Sequence, residues 1–155
     1  MSMIAPGTLA PDFTLPRDGG GTVTLSALRP KPVVLYFYPK DDTSGCTRQA
    51  IGFTEAADQF EAAGAVVLGV SKDSAARHDK FVAKHGLKVA LLSDEDSDVC
   101  ERYGVWTEKS MYGKTYMGIE RTTVLIGADG TVLRVWNKVK VPGHVEEVLE
   151  AVRAL

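Results

Sequence analysis

Residues 33–47 read VVLYFYPKDDTSGCT, and this stretch predicts a strand, a loop and the start of a helix. Val33 to Tyr38 is a continuous apolar and aromatic run ending at Pro39, which is typical of a buried central strand. A polar loop over residues 40–45 follows. Apolar residues then recur at spacings of three and four, as on the inner face of a helix; these are Ala50, Phe53, Ala57 and Phe60. Cys46 is therefore predicted to lie in the first turn of that helix.

The rest of the chain repeats this alternation of strands and helices. Strands are predicted over residues 23–25, 65–70, 89–92, 122–126 and 131–136, and further helices over residues 75–85, 97–103 and 145–155. Strands that alternate with helices and then form a hairpin predict a mixed sheet with helices on both faces. We therefore expect one α/β domain over residues 1–155, with a thioredoxin-like fold and an N-terminal extension.

Residues 102–121 are predicted to form a loop that is longer than usual. The segment holds large aromatic residues, among them Trp106, Tyr112 and Tyr116. Long loops with aromatics of their own are often functional, and packing against the core is an equally fair interpretation.

Composition excludes several classes of protein. The formal net charge is −2 and the basic residues are spread along the chain, which does not favour a nucleic-acid partner. No stretch approaches the roughly 20 apolar residues of a membrane span, and residues 1–7 do not resemble a signal peptide. We expect a cytoplasmic protein. Two cysteines and three scattered histidines do not supply the clustered ligands of a metal site, and no cofactor is predicted.

The predicted position of Cys46 favours a reactive thiol. Unpaired amides and the helix dipole at a helix N-terminus stabilise negative charge, so a thiol there ionises more readily. The loop lies at the carboxyl end of a strand, where open α/β sheets place their sites. Gly45 lets the backbone approach a small substrate closely. A buried structural cysteine is the alternative, but the polar surroundings of Cys46 do not favour it.

The pattern Pro39-x-x-x-Thr43-x-x-Cys46 resembles the active-site signature of the peroxiredoxins. The wider match is similar to the branch known as bacterioferritin comigratory protein, or the Q type. It covers nearly the whole chain, and its further segments are residues 10–15, 36–43, 69–73, 92–94, 103–106, 118–123, 136–139 and 143–144.

This resemblance implies a thiol peroxidase with four active-site residues. Cys46 would attack the hydroperoxide and become a sulfenic acid. Arg121 would favour the thiolate and polarise the peroxide. Thr43 would offer its hydroxyl to the peroxide, and the amides of Gly45 and Cys46 would hold the developing charge on oxygen. Pro39 would cover the sulfur and keep water away.

Two positions depart from the family pattern. The family often has Pro where this chain has Ser44, which predicts a slightly looser loop. Many relatives have Glu three residues after the cysteine, where this chain has Gln49. Gln49 can accept a hydrogen bond but adds no charge.

The way in which the sulfenic acid is resolved stays open. Relatives carry a second cysteine five residues after the first or near positions 82 and 83, and these positions hold Ile51, Val82 and Ala83. Cys100 is then either a buried core residue or a resolving cysteine that pairs with Cys46. The third route is direct attack on the sulfenic acid by an external thiol.

Other functions of a reactive thiol are less consistent with the sequence. A dithiol oxidoreductase needs a second cysteine three positions from Cys46, where Thr43 and Gln49 stand. A cysteine hydrolase needs a histidine base, but His78 and His85 lie on a predicted helix of mixed polarity and are expected to be solvated. A second, non-enzymatic role as a holdase or redox-signalling binding protein stays open, and it predicts client protection that survives Cys46→Ser.

The substrate and partners follow from the resemblance. It implies hydrogen peroxide and organic hydroperoxides as substrates and thioredoxin as reductant, with glutaredoxin as a substitute. Trp106 is a candidate for lining an apolar approach for larger peroxides. Many relatives are monomers, and a dimer stays open.

Overall fold

The computed structural model describes residues 4–155, so the prediction for residues 1–7 lies partly outside the described residues. Its strands are β1 (Thr14–Pro16), β2 (Thr22–Thr24), β3 (Val33–Phe37), β4 (Val66–Ser71), β5 (Ala90–Ser93), β6 (Trp106–Met111), β7 (Lys114–Ile119), β8 (Thr122–Ile126) and β9 (Val132–Trp136). Its α-helices are α1 (Ser44–Glu55), α2 (Ala57–Ala62), α3 (Ala75–His85), α4 (Val99–Arg102) and α5 (His144–Arg153). No helix within residues 4–155 is long and apolar enough to cross a membrane.

The central sheet has five strands in the order β5-β4-β3-β8-β9. β3 lies in the middle, parallel to β4 and antiparallel to β8. All five of its residues are buried, as its unbroken apolar run predicts. The mixed α/β sheet predicted from the sequence is thereby confirmed.

The side chains of β3 alternate between two apolar cores on opposite faces of the sheet. Val34 and Tyr36 point into the first, which we call the Cys46-side core. Leu35 and Phe37 point into the second, the Cys100-side core. The first also receives α1, α2, α3 and α5, and the second receives α4 and part of the N-terminal extension. Each cysteine therefore belongs to a different face.

The helix predicted after Cys46 is divided in two. α1 ends at Glu55 and α2 begins at Ala57, with Ala56 between them at φ −94° and ψ 4°. The inner face was predicted correctly at Ala50, Phe53 and Phe60, which are all buried. α3 covers its predicted range, and Gly86 follows its last residue with a left-handed φ of 60°, which suits glycine.

Residues 102–121 are not the loop that the sequence predicts. Most of them form the antiparallel hairpin β6–β7, which turns at Tyr112 and Gly113. Both turn residues have positive φ, 53° and 77°, as a tight two-residue hairpin turn requires. The strands carry several charged and hydroxyl residues and are mostly exposed, so they lack the apolar alternation by which strands are recognised.

Candidate active site

Cys46 lies in the first turn of α1, where the carboxyl end of β3 passes through a short loop into the helix. The helix begins after Thr43, whose backbone is extended and whose side chain does not cap the helix. Amides of the first turn therefore have no side-chain cap and can hold negative charge. The Cys46 side chain belongs to the Cys46-side core, and the residue is only 2% exposed.

Arg121 supplies a positive charge beside this sulfur. It directly precedes β8, whose Thr122 pairs with Phe37 at the carboxyl end of β3. Its Nη2 donates to Cys46 Sγ at 3.2 Å. A guanidinium at hydrogen-bond distance stabilises a thiolate over a thiol. The register of β8 on β3 thus places Arg121 where the sequence prediction expected it.

Gln49 orients the guanidinium of Arg121 without neutralising it. Arg121 Nη1 donates to Gln49 Oε1 at 2.6 Å, and the Gln49 side chain is completely buried one turn after Cys46. Gly45 leaves the space that this arrangement needs, because a Cβ there would stand 3.2 Å from Arg121 Nη2. Since Gln49 is an amide, the full positive charge of Arg121 remains available to the sulfur.

Thr43 and Pro39 occupy the loop before the helix. The Thr43 hydroxyl donates to the Lys40 carbonyl at 2.9 Å, a local bond within the turn. Its hydrogen is thereby engaged, and its oxygen lone pairs are free to accept from the O–H of a substrate. Pro39 comes shortly after the end of β3 and is exposed to solvent.

A buried polar network beneath the same loop is absent from the sequence prediction. His78 is completely buried, so the prediction that it is solvated was wrong. Its Nδ1 lies 2.6 Å from Asp41 Oδ2, and Asp41 Oδ1 accepts from the Tyr38 hydroxyl at 2.6 Å. Both ring nitrogens have partners, since Nε2 lies 2.9 Å from the Leu92 carbonyl oxygen. His78 is therefore engaged with the loop and does not act as a base on Cys46.

Lys109 on β6 is a second residue that the sequence prediction missed. Its aliphatic stem passes over Gly118. A Cβ placed on Gly118 would lie 3.1 Å from Lys109 Cδ. Partial burial and the nearby charge of Arg121 lower the pKa of Lys109. Its polar neighbours in sequence gave no signal, because the hairpin that turns Lys109 toward the site was not predicted.

Cys100 lies in the Cys100-side core, across the sheet from Cys46. It is completely buried on α4, and its backbone amide donates to Asp94 Oδ2 at 2.8 Å. Burial, together with the negative charge of Asp94, raises the pKa of the Cys100 thiol. A neutral thiol behind a central sheet is poorly placed to attack a group on Cys46.

Trp106 also packs on the far face. It lies at the start of β6 against the Cys100-side core, and Lys72 Nζ stands 4.9 Å from the centroid of its ring. This packing engages the ring away from the Cys46-side core. The structure therefore does not favour Trp106 as a lining residue for the peroxide.

The assembled site is suited to nucleophilic attack by a thiolate. The Arg121 guanidinium contacts the Cys46 sulfur at the uncapped N-terminus of α1, and the Thr43 hydroxyl lies just before that helix. The same groups can stabilise charge that moves from the sulfur to a leaving oxygen. Of the predicted residues, Arg121 contacts the Cys46 sulfur, and Gln49 links α1 to Arg121. Thr43 and Pro39 lie in the loop before the helix.

Comparison with known proteins gives a consistent result. The model of the AhpC/TSA family matches residues 6–135. The chain is 54% identical to a putative peroxiredoxin bcp of Coxiella burnetii over 94% of this chain and 97% of that protein. It is 46% identical to peroxiredoxin Bcp of Bacillus subtilis over 95% of this chain and 94% of the relative.

Solved structures agree with these relatives. PrxQ of Xylella fastidiosa, solved as a cysteine-to-serine mutant, is 41% identical with a TM-score of 0.93, over 99% of this chain and 98% of that one. The bacterioferritin comigratory protein of Xanthomonas campestris is 45% identical with a TM-score of 0.87, over 92% and 90% of the two chains. The latter is a protein with alkyl peroxide reduction activity.

Proposed function

Because this chain belongs to the AhpC/TSA family and is a thiol-dependent peroxidase of the Bcp type, we propose that Cys46 is the residue that reduces the peroxide. The observation that carries this assignment is the 3.2 Å contact between Arg121 Nη2 and Cys46 Sγ at the start of α1. Helix and guanidinium both favour the thiolate, which is the nucleophilic form of cysteine.

The first step transfers one oxygen atom to sulfur. The Cys46 thiolate attacks the terminal oxygen of ROOH, an S–O bond forms, and the O–O bond breaks. The products are the Cys46 sulfenic acid and RO⁻, which takes up a proton to give the alcohol, or water when the substrate is H2O2. We propose that Arg121 and the amides of Gly45 and Cys46 stabilise the negative charge on the departing oxygen. The Thr43 oxygen accepts a hydrogen bond from the O–H of the substrate.

The second step is the attack of an external thiol on the sulfenic acid. Water leaves, and a mixed disulfide forms between Cys46 and the reductant. A second thiol of the reductant then releases Cys46. The placement of Cys100 in the opposite core, with its raised pKa, supports this one-cysteine cycle over a Cys46–Cys100 disulfide.

Thioredoxin is our proposed reductant, because it carries two thiols and can complete both exchanges. A reductant with one thiol would need a second molecule for the release step. Location in the cytoplasm and a monomeric state remain predictions from the sequence. Like the Xanthomonas protein, this chain is proposed to accept alkyl hydroperoxides.

The assignment is tested by peroxide consumption with thioredoxin, its reductase and NADPH. Cys46→Ser should abolish turnover, while Cys100→Ser should retain it within about twofold of the parent. Loss of turnover in Cys100→Ser, in a protein that still folds and still forms a sulfenic acid, would favour the two-cysteine cycle. Full activity of Cys46→Ser would remove Cys46 from the reaction.

A further inference from the structure

Building on the proposed peroxidase function, we propose that His78 and Asp41 are positioning residues. As an imidazolium–carboxylate pair they hold the loop before Cys46 in its closed, peroxide-reactive form. Loss of the His78 proton releases this loop. The pair thus makes the balance between peroxide reactivity and exposure of Cys46 depend on pH.

The pair joins the catalytic loop to the body of the protein. Asp41 stands five residues before Cys46, and its carboxylate accepts from Tyr38 through one oxygen and contacts His78 through the other, both at 2.6 Å. His78 belongs to α3 and lies 2.9 Å from the Leu92 carbonyl oxygen of β5. One histidine therefore connects the loop, a helix and the sheet.

Hydrogen bonding defines the charge of the pair. The Leu92 oxygen only accepts, so His78 Nε2 carries a hydrogen. A carboxylate opposite Nδ1 at 2.6 Å also requires a donor, and a second ring hydrogen makes His78 an imidazolium. If that proton leaves, a nitrogen lone pair faces a carboxylate at the same distance, and this contact becomes repulsive.

The other charged groups around His78 support the same state. Asp73, in the loop between β4 and α3, accepts from the Asp41 amide at 2.8 Å and is paired with Arg77 at 3.3 Å. Among the described residues, the Tyr38 hydroxyl also faces His78, at 3.5 Å from Nδ1. Burial alone would lower the pKa of His78. The hydrogen bond to Asp41 and the negative charges of Asp41 and Asp73 outweigh this effect, so the pKa of His78 is raised.

The closed loop has two opposite effects on Cys46. It presents Thr43 and the first turn of α1 to a small peroxide. It also leaves Cys46 only 2% exposed, so a reagent larger than H2O2 or a protein thiol can reach the sulfur only after the loop moves. Opening should therefore slow the reaction with peroxide and speed the reaction with an electrophile larger than H2O2.

We would measure both rates on the same proteins in a Cys100→Ala background, so that only Cys46 reports. One rate is the reduction of H2O2, and the other is alkylation by iodoacetamide. At pH 7, His78→Gln should slow the peroxide reaction by roughly tenfold, the effect of one lost charge-assisted hydrogen bond, and should speed alkylation several-fold. Asp41→Asn should shift both rates in the same directions.

The pH dependence of the two rates and the Asp41/His78 double variant distinguish a positioning role from a purely structural one. In the parent background, the ratio of peroxide rate to alkylation rate should fall as the pH rises beyond the ordinary histidine pKa of about 6.5. In His78→Gln the ratio should be low and independent of pH. The Asp41→Asn/His78→Gln double variant should be no slower than the slower single variant, because both remove one interaction.

His85→Gln is the matched control. His85 lies on the same α3 helix and contacts Asp42 of the same loop at 3.0 Å, but that pair is partly open to solvent, with 21% of the His85 side chain and 44% of the Asp42 side chain exposed. Both rates should stay within about twofold of the parent background. The thermal midpoint of every variant shows whether it is folded at the assay temperature.

A purely structural role for His78 gives a different pattern. Both rates would then be unchanged, or both would fall together, and their ratio would not depend on pH in the parent background. Either outcome in a folded His78→Gln protein overturns the proposal. Failure of the peroxidase assignment is recognised separately, because Cys46 would then not react with H2O2 in the parent background at all.

Discussion

Removing the positive charge of Arg121 should slow the peroxide reaction far more than it destabilises the fold. Its Nη2 stands 3.2 Å from Cys46 Sγ. Two unit charges at that distance attract by about 5 kcal/mol at an effective dielectric constant of about 20. Partial solvation of the guanidinium reduces this gross value. An adjacent opposite charge stabilises an ionised group by roughly 1.4 to 4 kcal/mol, and we use this range for the Cys46 thiolate.

Arg121→Gln should therefore lower the second-order rate constant for H2O2 by roughly 10- to 1000-fold. Arg121→Lys keeps the charge but loses the two-pronged guanidinium that contacts both Gln49 and the sulfur. The rate constant of this variant should therefore fall less than that of Arg121→Gln. Stopped-flow mixing of the reduced proteins with H2O2 measures both constants. A folded Arg121→Gln protein within threefold of the parent would refute the electrostatic role assigned to this contact.

Three further predictions concern residues around the site. Gln49→Glu places a carboxylate beside Arg121, which should slow the peroxide reaction roughly threefold to tenfold; the same stopped-flow assay checks this. Cys100→Ala should lower the free energy of unfolding by about 1–2 kcal/mol, measured by urea titration, because it empties space in a packed core, while thioredoxin-linked turnover by Cys46 stays unchanged. Burial lowers the pKa of His144 in the folded protein. Below the ordinary histidine pKa of about 6.5, the unfolded chain therefore binds a proton at His144 more readily than the folded protein does, and the free energy of unfolding should fall as the pH drops. His144→Gln should flatten that part of the urea-midpoint profile, and an unchanged slope would contradict this assignment.

The segment around Cys46 could be predicted because its signals are local. An apolar run, a proline, a polar loop and a helical spacing follow one another within residues 33–60. Each signal reports the structure of its own neighbourhood. The predicted strand and the helical placement of Cys46 are confirmed, and only the break at Ala56 was missed.

Arg121 could be identified only through the family resemblance. A lone arginine before a strand is usually a surface charge, and nothing in its neighbours places it beside a cysteine. The contact arises because β8 pairs with β3 in one particular register. Pairing registers between strands distant in sequence are not written in either strand alone.

His78 and Cys100 show the same limit. The helix that carries His78 has mixed polarity, so a buried ion pair beneath the catalytic loop gave no periodic signal. Cys100 sits on an apolar position of its helix, and the sequence cannot tell which face of the sheet that helix covers. Only the assembled sheet separates the two cysteines and brings His78 to Asp41.

The most direct test of the account is to treat the reduced protein with one equivalent of H2O2 and analyse it by mass spectrometry without reductant. We predict one sulfenic acid, trapped by dimedone at Cys46, with Cys100 still a free thiol. A Cys46–Cys100 disulfide peptide would contradict the one-cysteine cycle. A protein in which Cys46 carries no modification while peroxide disappears would contradict the central claim.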